Sequence, residues 1–303
     1  MIAAVIGIGS NSIRMLTADI RGSKARQVWR DREGTRLFAG LDEAGRLQPE
    51  AMRHSADTVA RLAAVAVAKG AEKVWLFATS AARDAVNAAE LADLLRAETG
   101  LTLEICAGEE EARLSFLGAA DGGFTGVIDI GGGSTEVVTG TGADLASAVS
   151  CQMGAVRLFR TLPLRSSADL PAVAGRAREI LRADLAASPI PALPPKWIGT
   201  GGTFTTLAAM KLRMDWSQRT RLHGVKLSRQ EVEDRGASLA DMPLSERLKL
   251  PGLQPKRADI IVHGIAILLG VMAELGIPEI SVSEYGNLDG YLKRKYGIEG
   301  TIC

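Results

Sequence analysis

The pattern of apolar and polar positions predicts strands that alternate with helices in both halves of the chain. Short apolar runs such as Ile2–Ile8 and Lys73–Ala78 are typical of strands. Longer segments with apolar residues three and four apart, such as residues 49–69, are typical of helices. This alternation favours α/β domains with mixed sheets and right-handed crossovers. Glycines interrupt the pattern near residues 118–124, so we expect two domains, 1–120 and 121–303.

Two strand-like runs flank three consecutive glycines near the middle of the chain. The apolar run 127–130 contains Asp129, residues 131–133 are glycines, and residues 134–138 include two hydroxyls and Glu136. This order predicts a strand, a tight turn and a second strand. Adjacent glycines let backbone N–H groups converge on an anion, and carboxylates can share a hard cation with phosphate oxygens. The segment therefore suggests a magnesium–phosphate site; the alternative is a glycine hairpin with two surface acids.

The N-terminal segment repeats this order of strand, turn and strand. An apolar run at residues 2–8 leads into the polar turn 9–12, and a second strand-like run follows at residues 13–20. Residues 6–10 align with residues 128–132 at an offset of 122 positions. We therefore predict an internal duplication of a phosphate-binding hairpin, with one copy in each domain. The turn lacks the third glycine of a dinucleotide-binding fingerprint.

Two further segments carry candidate chemistry. A third glycine turn at residues 199–203 precedes a predicted helix, whose N-terminus would attract an anion; a turn packed for close approach is the alternative. Three consecutive acids, Glu109, Glu110 and Glu111, open another predicted helix. Acids in a first helical turn often serve only the helix dipole. Spacing alone does not select a functional acid among the three.

Composition narrows the function classes. The 303 residues are 47% hydrophobic and 23% charged, which is typical of a globular protein. The net charge is +1, so the chain has no overall positive electrostatic field that would attract nucleic acid or an anionic membrane surface. Three cysteines without a C-x-x-C pair favour a reducing cytoplasm. The N-terminus lacks the basic region of a signal peptide, and the longest apolar run, 260–272, is too short to span a bilayer. The three histidines are scattered, which disfavours a hydrolytic triad.

Six segments, taken in order, resemble the exopolyphosphatase/guanosine pentaphosphate phosphatase (Ppx/GppA) family, of the superfamily of actin, sugar kinases and large heat-shock chaperones. They are residues 9–12, 78–83, 108–113, 129–136, 153–157 and 199–203. Each segment alone is a weak signal, whereas their order and separation over nearly the whole chain are specific. The resemblance implies an α/β fold of two ribonuclease-H-like domains with mixed sheets, flanking an interdomain cleft.

The same resemblance implies an activity and a set of site residues. The expected activity is magnesium-dependent hydrolysis of the terminal phosphate of inorganic polyphosphate. Glu111 would be the catalytic base, and Asp129 and Glu136 would hold Mg²⁺. The implied phosphate-binding residues are Ser10, Asn11, Ser12, Arg83, Gly131, Gly132, Gly133, Ser134, Thr135, Gly201, Gly202 and Thr203. These roles suit phosphoryl transfer, in which catalysis is mostly positioning and charge neutralisation.

Two departures from the family pattern leave alternatives open. The family usually has Asp where this chain has Gly7, so an acid expected to face the metal is missing. The chain also lacks the C-terminal helical extension of longer members, which favours short polyphosphates. The alternatives are a guanosine pentaphosphate 5′-phosphohydrolase, a catalytically weak polyphosphate- or alarmone-binding protein, and a kinase of the same superfamily. A homodimer is one assembly consistent with the family.

Overall fold

The computed structural model describes residues 1–302, apart from the side chain of residue 219. Contacts divide the chain into two compact units. Unit 1 comprises Met1–Gly118 and the segment from Asn287 onward, and unit 2 comprises Ala119–Gly286. The first boundary lies close to the predicted one, whereas the C-terminal segment packs with unit 1 rather than with the second domain. Leu288, Tyr291 and Leu292 explain this difference, because they are buried in the core of unit 1.

The described residues form eleven strands and eleven α-helices. The strands are β1 (Ile2–Ile8), β2 (Ile13–Arg21), β3 (Lys24–Glu33), β4 (Lys73–Ala78), β5 (Leu103–Ile105), β6 (Phe124–Ile130), β7 (Thr135–Thr141), β8 (Asp144–Cys151), β9 (Trp197–Thr200), β10 (Lys226–Ser228) and β11 (Glu279–Val282). The helices are α1 (Pro49–Ala68), α2 (Ser80–Arg83), α3 (Ala88–Thr99), α4 (Gly108–Ala119), α5 (Ala155–Thr161), α6 (Leu170–Ala187), α7 (Gly202–Lys211), α8 (Arg229–Ala240), α9 (Leu244–Arg247), α10 (Ile261–Leu275) and α11 (Asn287–Tyr296). Short 3₁₀ helices span Leu37–Gly40, Ser167–Asp169, Arg219–Arg221 and Pro255–Arg257.

Unit 1 is built on a five-stranded mixed sheet in the order β3-β2-β1-β4-β5. β1 pairs antiparallel with β2 and parallel with β4. α11 covers one face of this sheet, where the rings of Phe77 and Tyr291 stack with their centroids 4.9 Å apart. A Cβ at Gly290 would lie 1.9 Å from the carbonyl oxygen of Leu114, so only glycine lets α11 approach α4 this closely.

Unit 2 is built on a six-stranded mixed sheet in the order β10-β11-β9-β6-β7-β8. β6 pairs antiparallel with β7 and parallel with β9. The core of the unit centres on α10, which is buried along nearly its whole length. A capping box of Ser228 and Glu231 starts α8. Residues 255–257 form a 3₁₀ turn, and α10 begins at Ile261.

The two sheets share one strand order around their central strands. β3-β2-β1-β4 in unit 1 corresponds to β8-β7-β6-β9 in unit 2, with the same parallel and antiparallel pairings. The predicted class, two α/β units with mixed sheets, is therefore confirmed. Within residues 1–302, no helix combines the length and apolar character needed to cross a membrane. Cys106 and Cys151 are buried free thiols, and Cys303 lies outside the described residues.

Candidate active site

The β1–β2 turn and the β6–β7 turn close in the same way. In turn 1 (residues 9–12), the N–H of Gly9 donates to the carbonyl of Ser12 at 3.1 Å. In turn 2 (residues 131–134), the N–H of Gly131 donates to the carbonyl of Ser134 at 3.0 Å. A Cβ at either glycine would lie 3.0 Å from the acceptor oxygen. The repeat predicted at an offset of 122 positions is thus a structural repeat as well.

Turn 1 is held from behind by the segment that follows β3. The N–H of Arg36 donates to the carbonyl of Asn11 at 3.2 Å, and the N–H of Phe38 donates to the carbonyl of Ser10 at 2.9 Å. Arg36 adopts a left-handed conformation with φ 55°, which is uncommon for a residue other than glycine. A trans peptide directs its C=O and the next N–H in opposite directions. The N–H groups of Asn11 and Ser12 therefore point away from this supporting segment.

Turn 1 also contains polar side-chain atoms whose hydrogen-bonding capacity is unused. Asn11 and Ser12 are each 5% exposed. Within the described part of the chain, Nδ2 and Oδ1 of Asn11 and Oγ of Ser12 have no hydrogen-bond partner. Oγ1 of Thr35, on the supporting segment, is also buried and has no hydrogen-bond partner among the described residues. Buried polar atoms are rarely left unsatisfied, so this concentration indicates a place for a ligand or ordered water.

Arg83 and Glu111 form the charged part of unit 1's site. Nη1 of Arg83 lies 3.0 Å from Oε2 of Glu111 and also donates to the carbonyl of Cys106 at 3.0 Å. Nη2 of Arg83 is buried and has no hydrogen-bond partner among residues 1–302. The Oγ atoms of Ser10 and Ser80 lie 2.7 Å apart and join turn 1 to α2, the helix that ends at Arg83. The predicted unit 1 residues are therefore linked through direct contacts.

The structure separates the three acids that the sequence left equivalent. Glu109 is exposed, and Glu110 is half-buried and forms an ion pair with Arg294. Glu111 is 6% exposed and is held by Arg83. Only Glu111 therefore combines burial with a link to turn 1 through α2.

Asp129 and Glu136 stand directly opposite each other in the β6–β7 ladder. Asp129 is 7% exposed and Glu136 is 1% exposed, and Oγ of Ser150 donates to Oε1 of Glu136 at 2.8 Å. Opposed residues in an antiparallel pair share one face of the sheet, where like charges repel. Two buried carboxylates in this arrangement suit a divalent cation, which takes oxygen ligands. The described residues contain no cluster of three or more ligating side chains, so water and phosphate would have to complete the coordination.

Turn 2 is held from behind by the N-terminus of α5. The N–H of Ala155 donates to the carbonyl of Gly131 at 3.0 Å. The N–H groups of Val156 and Arg157 both donate to the carbonyl of Gly132, at 2.8 and 3.0 Å. The Nε of Arg157 donates to the carbonyl of Gly133 at 2.7 Å. Because these carbonyls face α5, the N–H groups of Gly132, Gly133 and Ser134 point the other way. A Cβ at Gly154 would lie 2.3 Å from the carbonyl carbon of Gly132, which explains the glycine that precedes α5.

The third glycine turn brings two charged side chains onto adjacent glycines of unit 2. Gly201 has φ 95°, and a Cβ there would lie 2.6 Å from Oδ1 of Asp129. A Cβ at Gly202 would lie 1.9 Å from Cζ of Arg257, so this guanidinium rests on the start of α7. Arg257 was not among the predicted site residues, because only the fold brings it next to this turn. The guanidinium of Arg257 is therefore a further candidate phosphate ligand, close to the turn that contacts Asp129.

Two predicted phosphate-binding hydroxyls are used in packing. Oγ1 of Thr135 donates to the carbonyl of Met153. Oγ1 of Thr203 lies against Gly264 of α10, where a Cβ would approach it to 2.4 Å. The predicted roles of Thr135 and Thr203 in phosphate binding stay predictions.

Comparisons with known proteins identify the family of this chain. A family model described as the Ppx/GppA phosphatase family matches residues 16–297. The chain belongs to this family. Exopolyphosphatase 2 of Mycobacterium tuberculosis (strain ATCC 25618 / H37Rv) is 36% identical over 309 residues, which cover 95% of this chain and 96% of that protein. Exopolyphosphatase 1 of Mycobacterium bovis is 29% identical over 97% of this chain and 88% of that protein.

A solved structure supports the same assignment. The Aquifex aeolicus PPX-GPPA enzyme is 30% identical, with a TM-score of 0.80 over 96% of this chain and 98% of that chain. This Ppx/GppA member is therefore a hydrolase of a phosphatase family, as the sequence predicted.

Position 7, where Ppx/GppA proteins are expected to have an acid, faces an apolar layer. A Cβ at Gly7 would lie 2.9 Å from Cδ2 of Leu288 and 3.0 Å from Cζ of Phe77. Both neighbours belong to unit 1, where α11 covers the sheet. Leu288 therefore occupies the space into which an aspartate side chain would extend, and the glycine is matched to the residue above it.

Cys106 lies close to the candidate base but is not suited to nucleophilic chemistry. Burial, together with the carboxylates of Glu104 and Glu111, raises the pKa of its thiol to about 12. A thiol with this pKa stays protonated at neutral pH, whereas the thiolate is the nucleophile. Glu111 therefore remains the candidate base of unit 1.

Proposed function

We propose that this Ppx/GppA member is an exopolyphosphatase, which hydrolyses the terminal phosphate of inorganic polyphosphate with Mg²⁺ as cofactor. The observation that carries the proposal is the pair of half-buried Arg83 and buried Glu111, which is joined to turn 1 through Ser80 and Ser10. The names of the mycobacterial relatives support the choice of polyphosphate.

In this mechanism, unit 1 provides the base and part of the phosphate site. A water oxygen attacks the terminal phosphorus, the bond to the bridging oxygen breaks, and the proton of the water passes to Glu111. A positioned base of this kind contributes about 10²- to 10⁴-fold to the rate. Nη2 of Arg83 and the N–H groups of Asn11 and Ser12 would bind phosphoryl oxygens, because charge-assisted hydrogen bonds are the strongest available to them.

Unit 2 would provide the metal ligands and the remaining amide donors. Asp129 and Glu136 would hold Mg²⁺, which supplies neutralisation of the phosphate charge when bound. The N–H groups of Gly132 and Gly133 point away from α5 and would bind phosphoryl oxygens. Arg257, which rests on Gly202, would add a further positive charge.

The test is release of orthophosphate from tripolyphosphate and longer chains in the presence of Mg²⁺. We expect Glu111→Gln to lower kcat by about 10²- to 10⁴-fold while KM stays within about threefold, because it removes the base and keeps an acceptor for Arg83. Glu109→Gln is the matched control, since Glu109 is an exposed acid in the same helical turn. A Glu111→Gln variant as fast as the wild type would remove the mechanism.

The same assay compares the alternative functions. Guanosine pentaphosphate contains the same phosphoanhydride chemistry, so it is run beside polyphosphate at equal concentration. Faster release from the nucleotide would assign the chain to that substrate. Tight binding of tripolyphosphate without release, in Mg²⁺ and in Mn²⁺, would instead identify a binding protein.

A further inference from the structure

Arg294, on α11, forms ion pairs with acids of two different segments of unit 1. Its Nη2 donates to Oε1 of Glu104, on β5, at 3.0 Å, and its Nη1 donates to Oε1 of Glu110, in the first turn of α4. The hydroxyl of Tyr291 donates to the other oxygen of Glu104 at 2.8 Å. A planar guanidinium that divides its N–H groups between two carboxylates fixes their direction as well as their distance. α11 therefore ties β5 to the start of α4.

The same two segments carry the partners of Arg83 in the candidate active site. Cys106 is the residue after β5, and its carbonyl accepts a hydrogen bond from Nη1 of Arg83. Glu111 follows Glu110 in α4, and its Oε2 lies 3.0 Å from the same nitrogen. The separation between the end of β5 and the first turn of α4 thus determines whether one guanidinium nitrogen reaches both acceptors. Arg294 spans that separation through the neighbouring acids.

α11 contacts α4 at two further points. A Cβ at Gly290 would lie 1.9 Å from the carbonyl oxygen of Leu114, so the two helices touch at the middle of α4. Nζ of Lys293 donates to the carbonyl of Leu117 at 2.8 Å, in the last turn of α4, where carbonyls lack intrahelical partners and a cation is favoured. Together with Arg294, these contacts hold α4 at its start, its middle and its end. A shift or rotation of α4 would break them.

We propose that Arg294 is a positioning residue for the reaction: it fixes the first turn of α4 relative to β5 and thereby orients the carboxylate of Glu111 toward the attacking water. This inference rests on the proposed function, in which Glu111 is the base. Arg294 contacts neither substrate nor metal in this scheme and acts through Glu111. A reacting group that is misplaced by about 1 Å can cost about 10²-fold in rate although the fold is intact.

The competing explanation is that Arg294 only stabilises the docking of α11. The side chains of Arg294, Glu104 and Glu110 are between 27% and 39% exposed, and ion pairs this exposed contribute little to stability, so the fold should survive their removal. Phosphate release from tripolyphosphate in Mg²⁺ gives kcat and KM, and urea unfolding checks stability. We expect Arg294→Gln to lower kcat about 5- to 50-fold while KM stays within about twofold.

Two variants serve as comparisons for Arg294→Gln. Arg294→Lys should restore part of kcat, because it keeps the charge but lacks the planar fork that reaches both carboxylates. Arg53→Gln is the matched control, since Arg53 forms an ion pair with Glu98 that joins α1 to α3 in the same unit. It should change kcat less than about twofold, because an exposed ion pair away from α4 does not position the base.

A double variant shows whether Arg294 acts through the base. In the Glu111→Gln background, Arg294→Gln should lower kcat less than about twofold, because residues that act as a unit have non-additive effects. Two outcomes would overturn the inference. One is an Arg294→Gln variant with the kcat of the wild type, and the other is a loss of kcat that is equal in both backgrounds.

A crystal structure of Arg294→Gln tests the inference without turnover. The distance from Nη1 of Arg83 to Oε2 of Glu111 is 3.0 Å, and we expect it to increase in the variant. The expected increase is at least about 0.5 Å, the tolerance within which a catalytic arrangement is held. An unchanged distance would overturn the inference. A wild type that releases no orthophosphate would instead refute the proposed hydrolysis, and the structure of the variant would still decide whether Arg294 positions Glu111.

Discussion

The β1–β2 and β6–β7 hairpins have one backbone design and opposite side-chain chemistry. Both turns close with a hydrogen bond from a glycine N–H to the serine carbonyl three residues later. The cross-strand pair beside turn 2 consists of two buried acids, whereas the pair beside turn 1 consists of Gly7 and Arg14. The comparison indicates that the repeat conserves the direction of backbone amides and that the charge placed beside them is set separately in each unit.

The two turns also differ in what stands behind them. Turn 2 rests on the N-terminus of a regular helix, α5, which needs glycine at position 154 for contact. Turn 1 rests on an irregular segment that includes Arg36 in a left-handed conformation. A backbone outlier that is held in place near a binding turn is a form of stored strain. Unit 2 therefore fixes its amides by helix packing and unit 1 fixes them by a strained loop.

The largest expected contrast follows from the cross-strand pairs. Asp129→Asn should lower kcat/KM at least about 100-fold, because a metal ligand supports several kcal/mol of transition-state stabilisation. Gly7→Ala, at the corresponding position of unit 1, should change kcat/KM less than about threefold, since its Cβ meets only the mobile end of Leu288 and the Phe77 ring. Steady-state phosphate release from tripolyphosphate measures both.

A titration with Mg²⁺ provides the control for this pair. The Asp129→Asn variant should need a higher concentration of Mg²⁺ for half-maximal rate, whereas Gly7→Ala should match the wild type. Equal losses in the two variants would contradict the assignment of the metal to unit 2.

Substitutions of the glycines that shape turn 2 and turn 1 should differ in their effect on stability, and this difference is smaller than the one expected for activity. Gly154→Ala should lower the free energy of unfolding by about 3 kcal/mol, because its Cβ would overlap the backbone of Gly132 at 2.3 Å. Gly9→Ala places a Cβ 3.0 Å from the carbonyl oxygen of Ser12, and a small shift of the turn relieves this contact, so we expect a loss of about 1 kcal/mol. Urea unfolding of both variants measures the difference. A Gly9→Ala variant that is the less stable of the two would reverse the proposed order of rigidity.

The hairpins were predictable from the sequence because their information is local. Apolar runs, glycines and hydroxyls specify strand, turn and strand within a few positions, and the repeat follows from aligning two such segments. The choice of Glu111 over Glu109 and Glu110 was not local. It depends on Arg83 and on the burial of one helix face, and helical spacing leaves all three acids at the start of α4.

Other residues could not be predicted for the same physical reason. Arg257 reaches Gly202 only after α10 and the 3₁₀ turn before it pack against the start of α7. The C-terminal helix was assigned to the second domain by its place in the chain, whereas Leu288 and Tyr291 bury their side chains in unit 1. The hydroxyl of Thr135, a predicted phosphate-binding residue, donates to the carbonyl of Met153, a contact that its motif does not indicate.

The smallest expected effect concerns His263, which supports unit 2 alone. Burial lowers the pKa of His263 and is the largest influence on it. The contact of Nε2 with the Leu162 carbonyl at 2.9 Å acts in the opposite direction and raises the pKa. The charge of Arg247 lowers the pKa and that of Asp259 raises it. Because the pKa of His263 is lower in the folded chain than in the unfolded chain, the unfolded chain binds more protons here as the pH falls through about 6.5, and stability decreases with it. Between pH 7 and pH 5.5, the wild type should lose about 1 kcal/mol more than His263→Gln, measured by urea unfolding at each pH. Parallel pH profiles for the two proteins would show that folding does not lower the pKa of His263.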